Sequence, residues 1–194
     1  MKFIYPEGAT PLDVEDIQGL KLVHISTQAQ LNRAEQENIQ KALLWLNKRK
    51  QENILDIMFM KEVHKRMFSD VWKWAGYFRK SEKNIGVLVY NIQTETKKLC
   101  DDVIAWIEHK TYSSDEIAIR FHHKLVAIHP FVNGNGRHAR IITDILLEKV
   151  LKVSAFTWGK EDLVSTGECR KRYIEALRKA DEGNYSFLLV FVRS

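Results

Sequence analysis

The chain has 194 residues, 45% hydrophobic and 28% charged, a composition typical of one soluble globular domain. Its formal net charge of +5 suits an acidic partner such as a polyphosphate. The basic residues are dispersed and no zinc-finger, RNA-binding or bZIP pattern is present, which argues against a nucleic-acid partner. There is no signal segment at Met1–Tyr5 and no membrane-length apolar run, so we expect a cytoplasmic protein without a membrane partner.

Helical spacing of apolar residues dominates the chain, and only three prolines and nine glycines interrupt it. We expect an irregular N-terminal arm over residues 1–27, broken by Pro6 and Pro11, and a single domain over residues 28–194. Thr27 is the predicted N-cap of the first helix, and Ser113 and Glu116 form a capping box before another. Helices are predicted over residues 28–49, 54–68, 94–109, 116–128, 137–151, 163–180 and 185–192.

One short segment departs from the helical pattern. Residues 77–90 contain Asn84-Ile85-Gly86 between two β-prone runs, which predicts a small β-hairpin. The fold class expected is therefore mainly α with one small hairpin.

The segment from His129 to Arg140, between two predicted helices, contains the residues best suited to chemistry. Gly134 and Gly136 permit backbone conformations that other residues avoid, at the amino end of a helix where backbone amides attract anions. Arg137 and Arg140 are three residues apart, so both can bind a polyphosphate from one side of that helix. His129 has a side chain suited to taking a proton from a hydroxyl.

A plain glycine-rich connector between helices is the competing interpretation. A connector requires neither the second glycine nor both arginines, so the combination favours a phosphate site with a base beside it.

This segment resembles the motif of the Fic family, His-x-Phe-x-(Asp/Glu/Asn)-Gly-Asn-Gly-Arg-x-x-Arg, and matches all of its fixed positions. The likeness extends to Phe68–Gly76 and to Arg172–Leu177, and nearly the whole chain resembles the subfamily called mobile mystery protein B. The resemblance implies a helical fold with a β-hairpin flap. It also implies transfer of AMP from ATP to a Ser, Thr or Tyr hydroxyl of a target protein, with self-modification as a further expectation.

The resemblance also assigns roles to individual residues. His129 would be the base, Arg137 would stabilise the leaving pyrophosphate, and Arg140 would hold the γ-phosphate. The amides around Gly134 and Gly136, with Asn135, would hold the α-phosphate, and Phe131 would anchor the loop in the core.

Three further roles follow from the resemblance. Asn133 stands where many relatives have Asp or Glu, so it would be a weaker Mg²⁺ ligand than a carboxylate. Tyr173 would line the adenine pocket, although a packed core aromatic is an equal alternative. The flap residues Lys83, Asn84, Ile85 and Gly86 would dock the target segment, although an ordinary surface hairpin is the simpler interpretation.

Fic proteins often carry an inhibitory helix whose glutamate pairs with the second motif arginine. The usual signature, Ser/Thr-x-x-x-Glu-Gly/Asn, would end here at Glu37-Asn38, but Arg33 replaces its Ser or Thr. At about 100° per residue Glu35 lies on the apolar face of the first helix and Glu37 points away. We therefore expect Glu35 to be the inhibitory residue, paired with Arg140; an ion pair without functional meaning is the alternative.

Two other functions stay open at this point. One is a Fic phosphotransferase that moves the γ-phosphate, and the other is a non-catalytic module that binds nucleotide or nucleic acid. Oligomeric state, target protein and the removal of AMP are not determined by the sequence.

Overall fold

The structure, a computed structural model, describes residues 10–49, 53–160 and 167–194. These residues confirm a mainly helical fold, and a π-helical turn, Leu146–Leu151, continues the sixth helix. Short 3-10 turns lie at Val89–Asn91 and Trp158–Lys160. Within the described ranges the helices are α1 Val14–Ile17, α2 Gln28–Asn47, α3 Ile57–Phe68, α4 Ile92–Glu108, α5 Ser114–Ile128, α6 Asn135–Ile145, α7 Glu168–Asp181 and α8 Ser186–Arg193.

Side-chain caps account for where α2, α3 and α5 begin. The Thr27 hydroxyl accepts a hydrogen bond from the Gln30 amide at 3.2 Å, as predicted for the start of α2. Ser113 does the same for the Glu116 amide at the start of α5. α3 begins three residues later than predicted because the Asp56 carboxylate accepts from the amides of its first turn. The predicted helix start at residue 163 lies outside the described residues.

The hydrophobic core has two parts. The larger part is formed by α2 to α6, with Trp72, Phe68 and Phe121 among its largest fully buried side chains. The smaller part joins α7 and α8 to one face of α5, through residues such as Ile119 and Leu188. Because α5 and the π-helical turn that continues α6 contribute to both parts, the helices on either side of the loop at residues 129–134 are anchored in the core.

The predicted β-hairpin at residues 77–90 is wrong for the described chain, where this flap contains no strand. Both of its limbs donate to the end of α5 and the loop after it instead of to each other: Arg79 N donates to Pro130 O at 2.9 Å, and Val87 N to Ile128 O at 3.3 Å. The Arg79 guanidinium closes the flap by donating to the Val87 and Ser81 carbonyls. A side chain and a neighbouring loop therefore satisfy the groups that a second strand would have paired.

The part of the N-terminal arm that the structure describes contains α1 and packs along residues 71–74. Lys21 N donates to Val71 O, and Lys73 N donates to Gly19 O, both at 2.8 Å. Trp74 Nε1 donates to Asp16 O at 3.2 Å. The arm is thus attached to the segment that leads into the flap.

No helix in the described ranges is both long enough and apolar enough to cross a bilayer.

Candidate active site

The loop between α5 and α6 is fixed by buried contacts at its centre. Phe131 is fully buried and stacks on the His64 ring, with 3.7 Å between ring centroids. The Asn135 side chain accepts from Phe131 N and donates to Phe131 O, both at 2.9 Å. This side chain therefore holds the loop closed and does not face a phosphate, which leaves the Asn135 backbone amide for that predicted role.

The two loop glycines serve different purposes. Gly134 has φ +77, and a Cβ there would lie 2.5 Å from Cζ of Phe68, so both backbone conformation and packing require glycine. At Gly136 a Cβ would meet nothing closer than Arg140 Nη1 at 3.8 Å. The first turn of α6 is thus open at Gly136, where the positive helix end favours an anion.

His129 ends α5 in a left-handed conformation, φ 53, and is 5% exposed. Its carbonyl accepts from Arg79 Nε at 2.8 Å, which holds the backbone in place. Burial, with the positive charges of Arg79 and Lys83, lowers the pKa of His129 to about 4. The imidazole is therefore neutral near pH 7 and able to accept a proton.

Glu35 is buried, at 6% exposure, as the helix geometry predicts, but its partner is not the predicted one. Its Oε2 lies 2.7 Å from Arg137 Nη1, so the expected pair with Arg140 is wrong. Trp72 Nε1 donates to the other carboxylate oxygen at 2.6 Å and aims the carboxylate at the first turn of α6. Arg140, one turn further along α6, lies over the Tyr173 ring at 5.6 Å from its centroid.

The neighbouring glutamate behaves differently. Glu37 is exposed and forms an ion pair with Arg33 at 3.1 Å, one turn away on the same helix. Such surface pairs contribute little to stability. Glu35, not Glu37, thus reaches the first turn of α6.

A cavity of about 650 Å³ opens over the first turn of α6. This volume is within the usual range of small-molecule sites. Basic side chains line it from α6 and from α7, and Thr10 and Ile85 contribute to its lining as well. The predicted site residues on its wall are His129, Asn133, Gly134, Asn135, Gly136, Arg137, Arg140, Tyr173, Glu35, Ile85 and Gly86.

Tyr173 combines the two roles that the sequence left open. It is 4% exposed in the smaller core, and its hydroxyl lies 2.8 Å from His122 Nε2. It also lines the cavity beside Arg140. A packed aromatic therefore forms part of the pocket wall.

The Asn133 side chain is already engaged. Its Oδ1 accepts from the Gly134 amide at 2.6 Å, and its Nδ2 donates to Thr10 O at 3.1 Å. The described residues contain no group of three or more His, Cys, Asp or Glu that could hold a metal ion. A metal here would have this amide oxygen as its candidate protein ligand.

The predicted flap residues lie beside the base. A Cβ on Gly86 would lie 2.9 Å from His129 Cβ, so glycine allows this close approach. Lys83 does not face a target; it pairs with Asp13 and Asp16 of the arm and its side chain is 2% exposed. Asn84 and Ile85 are exposed.

The sequence analysis missed His64, which hydrogen-bonds both to the loop between α5 and α6 and to the segment before the flap. It is fully buried in α3, accepts from Gly76 N at Nδ1, and its Nε2 lies 3.0 Å from Asn133 O. Because Nδ1 accepts, the ring carries its proton on Nε2, which then donates to Asn133 O. A histidine within a predicted helix offers no sequence signal for this role.

The family model described as Fic/DOC matches residues 54–147. Among curated proteins, the chain is 27% identical over 135 residues to the protein adenylyltransferase Fic of Aedes aegypti. It is 28% identical over 135 residues to the protein of the same name from Drosophila melanogaster. Each alignment covers 68% of this chain, which spans only 26% of these relatives' length.

Solved structures show the same fold. The N-terminal FIC domain of the Bep8 effector of Bartonella sp. 1-1C superposes with a TM-score of 0.69, at 20% identity over 91% of this chain and 90% of that one. The BepC effector of Bartonella tribocorum, solved with bound AMPPNP, gives 0.67 at 19% identity over 98% and 93%. A Bartonella quintana Fic domain with bound ADP gives 0.66 at 17% identity over 88% and 86%.

Proposed function

We propose that the protein belongs to the Fic/DOC family, whose model matches residues 54–147, and that it is an adenylyltransferase that transfers AMP from ATP to a Ser, Thr or Tyr hydroxyl of a target protein. One observation carries the proposal: a neutral, buried His129 and the amino end of α6 with its two arginines border the same cavity. The named activity of the insect relatives and the nucleotides in two of the similar structures support it. Membership of the mobile mystery protein B subfamily, a single domain over residues 28–194 and a cytoplasmic location stay predictions.

The proposed reaction uses each group for one task. His129 takes the proton from the attacking hydroxyl, whose oxygen then forms a bond to the α-phosphorus of ATP. The bond from that phosphorus to the β-phosphate oxygen breaks, and pyrophosphate leaves. Backbone amides at the start of α6 hold the α-phosphate, while Arg137 and Arg140 neutralise charge on the departing phosphates.

Mg²⁺ is proposed as the companion of ATP. Asn133 Oδ1 is an oxygen donor beside the phosphate site, and its second lone pair is available although the first accepts from Gly134. It fits as a single protein ligand, with the phosphates and water completing the shell that Mg²⁺ prefers. When bound, the ion would supply positive charge to the phosphates.

The test of the activity is incubation with ATP labelled at the α- or the γ-phosphate, followed by separation of proteins from free nucleotide. We expect α-label bound to protein and no bound γ-label. Bound γ-label would support phosphotransfer instead. Neither label on any protein would leave a binding function and contradict the proposal.

We also propose that Glu35 inhibits the site, by a contact different from that predicted. Its carboxylate forms an ion pair with Arg137, the cation assigned to the leaving pyrophosphate, with 2.7 Å between Oε2 and Nη1. ATP must displace this carboxylate before Arg137 can reach the phosphates. Trp72 opposes the displacement because it holds the second carboxylate oxygen.

Glu35→Gln should therefore activate the protein. Glutamine keeps an oxygen for the Trp72 hydrogen bond but loses the charge that holds Arg137. We expect AMP transfer at subsaturating ATP to rise by about 5- to 150-fold, the usual range for a coupling between two sites. The measurement is the initial rate with α-labelled ATP at equal protein concentrations.

Glu37→Gln is the matched control for this change. It lies on the same helix, is exposed and pairs only with Arg33 among the contacts described. It should transfer AMP at the wild-type rate. Activation by this control and not by Glu35→Gln would assign the inhibitory role to Glu37. If neither variant is activated, α2 has no inhibitory role and contributes only to packing.

A further inference from the structure

The N-terminal arm brings a hydroxyl group to the base. Thr10 is 6% exposed, and its Oγ1 lies 3.2 Å from His129 Nε2, across 119 positions of sequence. When the ring carries its proton on Nδ1, Nε2 accepts this hydroxyl's hydrogen bond. This is the distance at which a general base takes a proton from a nucleophile.

Further contacts hold Thr10 in this position. Its carbonyl accepts from Asn133 Nδ2 at 3.1 Å, so the backbone is attached to the loop that would hold the phosphate. A few residues later, the Asp13 and Asp16 carboxylates pair with Lys83 of the flap. The arm thus crosses between loop and flap, where the resemblance places a target segment.

Among the described residues that line the cavity, only Thr10 and Tyr173 carry hydroxyl groups. The Tyr173 hydroxyl is hydrogen-bonded with His122 Nε2, and burial raises the pKa of this phenol. Thr10 is therefore the hydroxyl that faces the base. Holding it there removes the entropy cost of bringing two molecules together, which favours reaction within one chain.

We propose that Thr10 is the acceptor of AMP in a self-modification reaction. The inference rests on the proposed adenylyltransferase function and adds a site to it. The Thr10 Oγ1 bonds to the α-phosphorus of ATP, its proton passes to His129 Nε2, and the bond to the β-phosphate oxygen breaks to release pyrophosphate. The product is a phosphodiester between Thr10 and adenosine.

The experiment uses the full chain with α-labelled ATP and Mg²⁺, followed by mass spectrometry of its peptides. We expect one AMP group on the peptide that contains Thr10, at a rate per molecule that does not change when the protein is diluted. Thr10→Ala should lose this label, and Thr10→Ser should keep it on the new hydroxyl. Thr111→Ala, which removes an exposed hydroxyl between α4 and α5, should label like the wild type.

A second variant tests the arm without removing the hydroxyl. Asp13→Asn combined with Asp16→Asn weakens the link to Lys83 and should slow labelling of Thr10. Circular dichroism of each variant checks that the helices are intact.

A host lysate added to the wild type and to Thr10→Ala separates the two proposals. Label on lysate proteins, or on another residue of the chain, with none on Thr10 would overturn this inference and leave the adenylyltransferase function standing. Undiminished self-label on Thr10→Ala would overturn it as well. No α-label on any protein would overturn both.

Discussion

Replacing His129 with alanine is expected to slow AMP transfer by roughly 10²–10⁴-fold, the usual contribution of a general base. The imidazole is neutral because burial and two neighbouring cations lower its pKa to about 4, so nearly every molecule has the base ready near pH 7. ATP binding should change little, because the proposed phosphate site is at the start of α6 and the proposed role of His129 is on the attacking hydroxyl. Single-turnover transfer at saturating ATP measures the chemical step, and calorimetric titration with ATP measures binding.

The control for this variant must preserve the left-handed backbone conformation of residue 129. His129 has φ 53, a conformation that Asn adopts more readily than most residues. His129→Asn therefore preserves the turn while removing the base, and it should be as inactive as the alanine variant. Wild-type rates in His129→Asn would show that this ring is not the base.

Arg137→Ala is expected to lower the rate of the chemical step by roughly 10²–10³-fold, the effect of removing one preorganised group that stabilises transition-state charge. It should also destabilise the fold, because the buried Glu35 carboxylate loses the cation 2.7 Å away. Breaking a buried ion pair from one side commonly costs about 3–5 kcal/mol. Single-turnover rates and thermal denaturation measure the two effects separately.

The double variant Glu35→Gln with Arg137→Ala separates catalysis from stability. It removes the carboxylate that Arg137→Ala leaves without its cation, while the Trp72 hydrogen bond to residue 35 is preserved. We expect denaturation temperature to recover and transfer to stay low. Recovery of the transfer rate would mean that Arg137 serves to neutralise Glu35 and has no role in the reaction.

Several features of the molecule follow from short stretches of sequence. The helical class, the caps at Thr27 and Ser113 and the burial of Glu35 depend on hydrogen bonds and periodicity within a few residues. The motif from His129 to Arg140 is equally local, because one loop and one helix end bring its groups to the same cavity. These predictions required no knowledge of how distant elements meet.

The two predictions that were wrong concern contacts between elements distant in sequence. Glu35 was expected to reach Arg140, yet the packing of α2 on α3, with Trp72 holding the carboxylate, places it on Arg137, one turn earlier. The flap was expected to pair with itself, but packing against the end of α5 and the loop after it gives its backbone groups other partners. Periodicity specifies which face of an element is buried, but not which neighbour that face meets.

The same reason explains what the sequence did not reveal at all. His64 meets Asn133 across 69 positions and Thr10 meets His129 across 119, and neither residue belongs to a recognisable pattern. The amino-acid sequence determines the helices, the motif and the buried carboxylate, since each depends on neighbouring residues. The partner of that carboxylate, the shape of the flap and the hydroxyl at the base depend on the packing of distant segments, which no local spacing encodes.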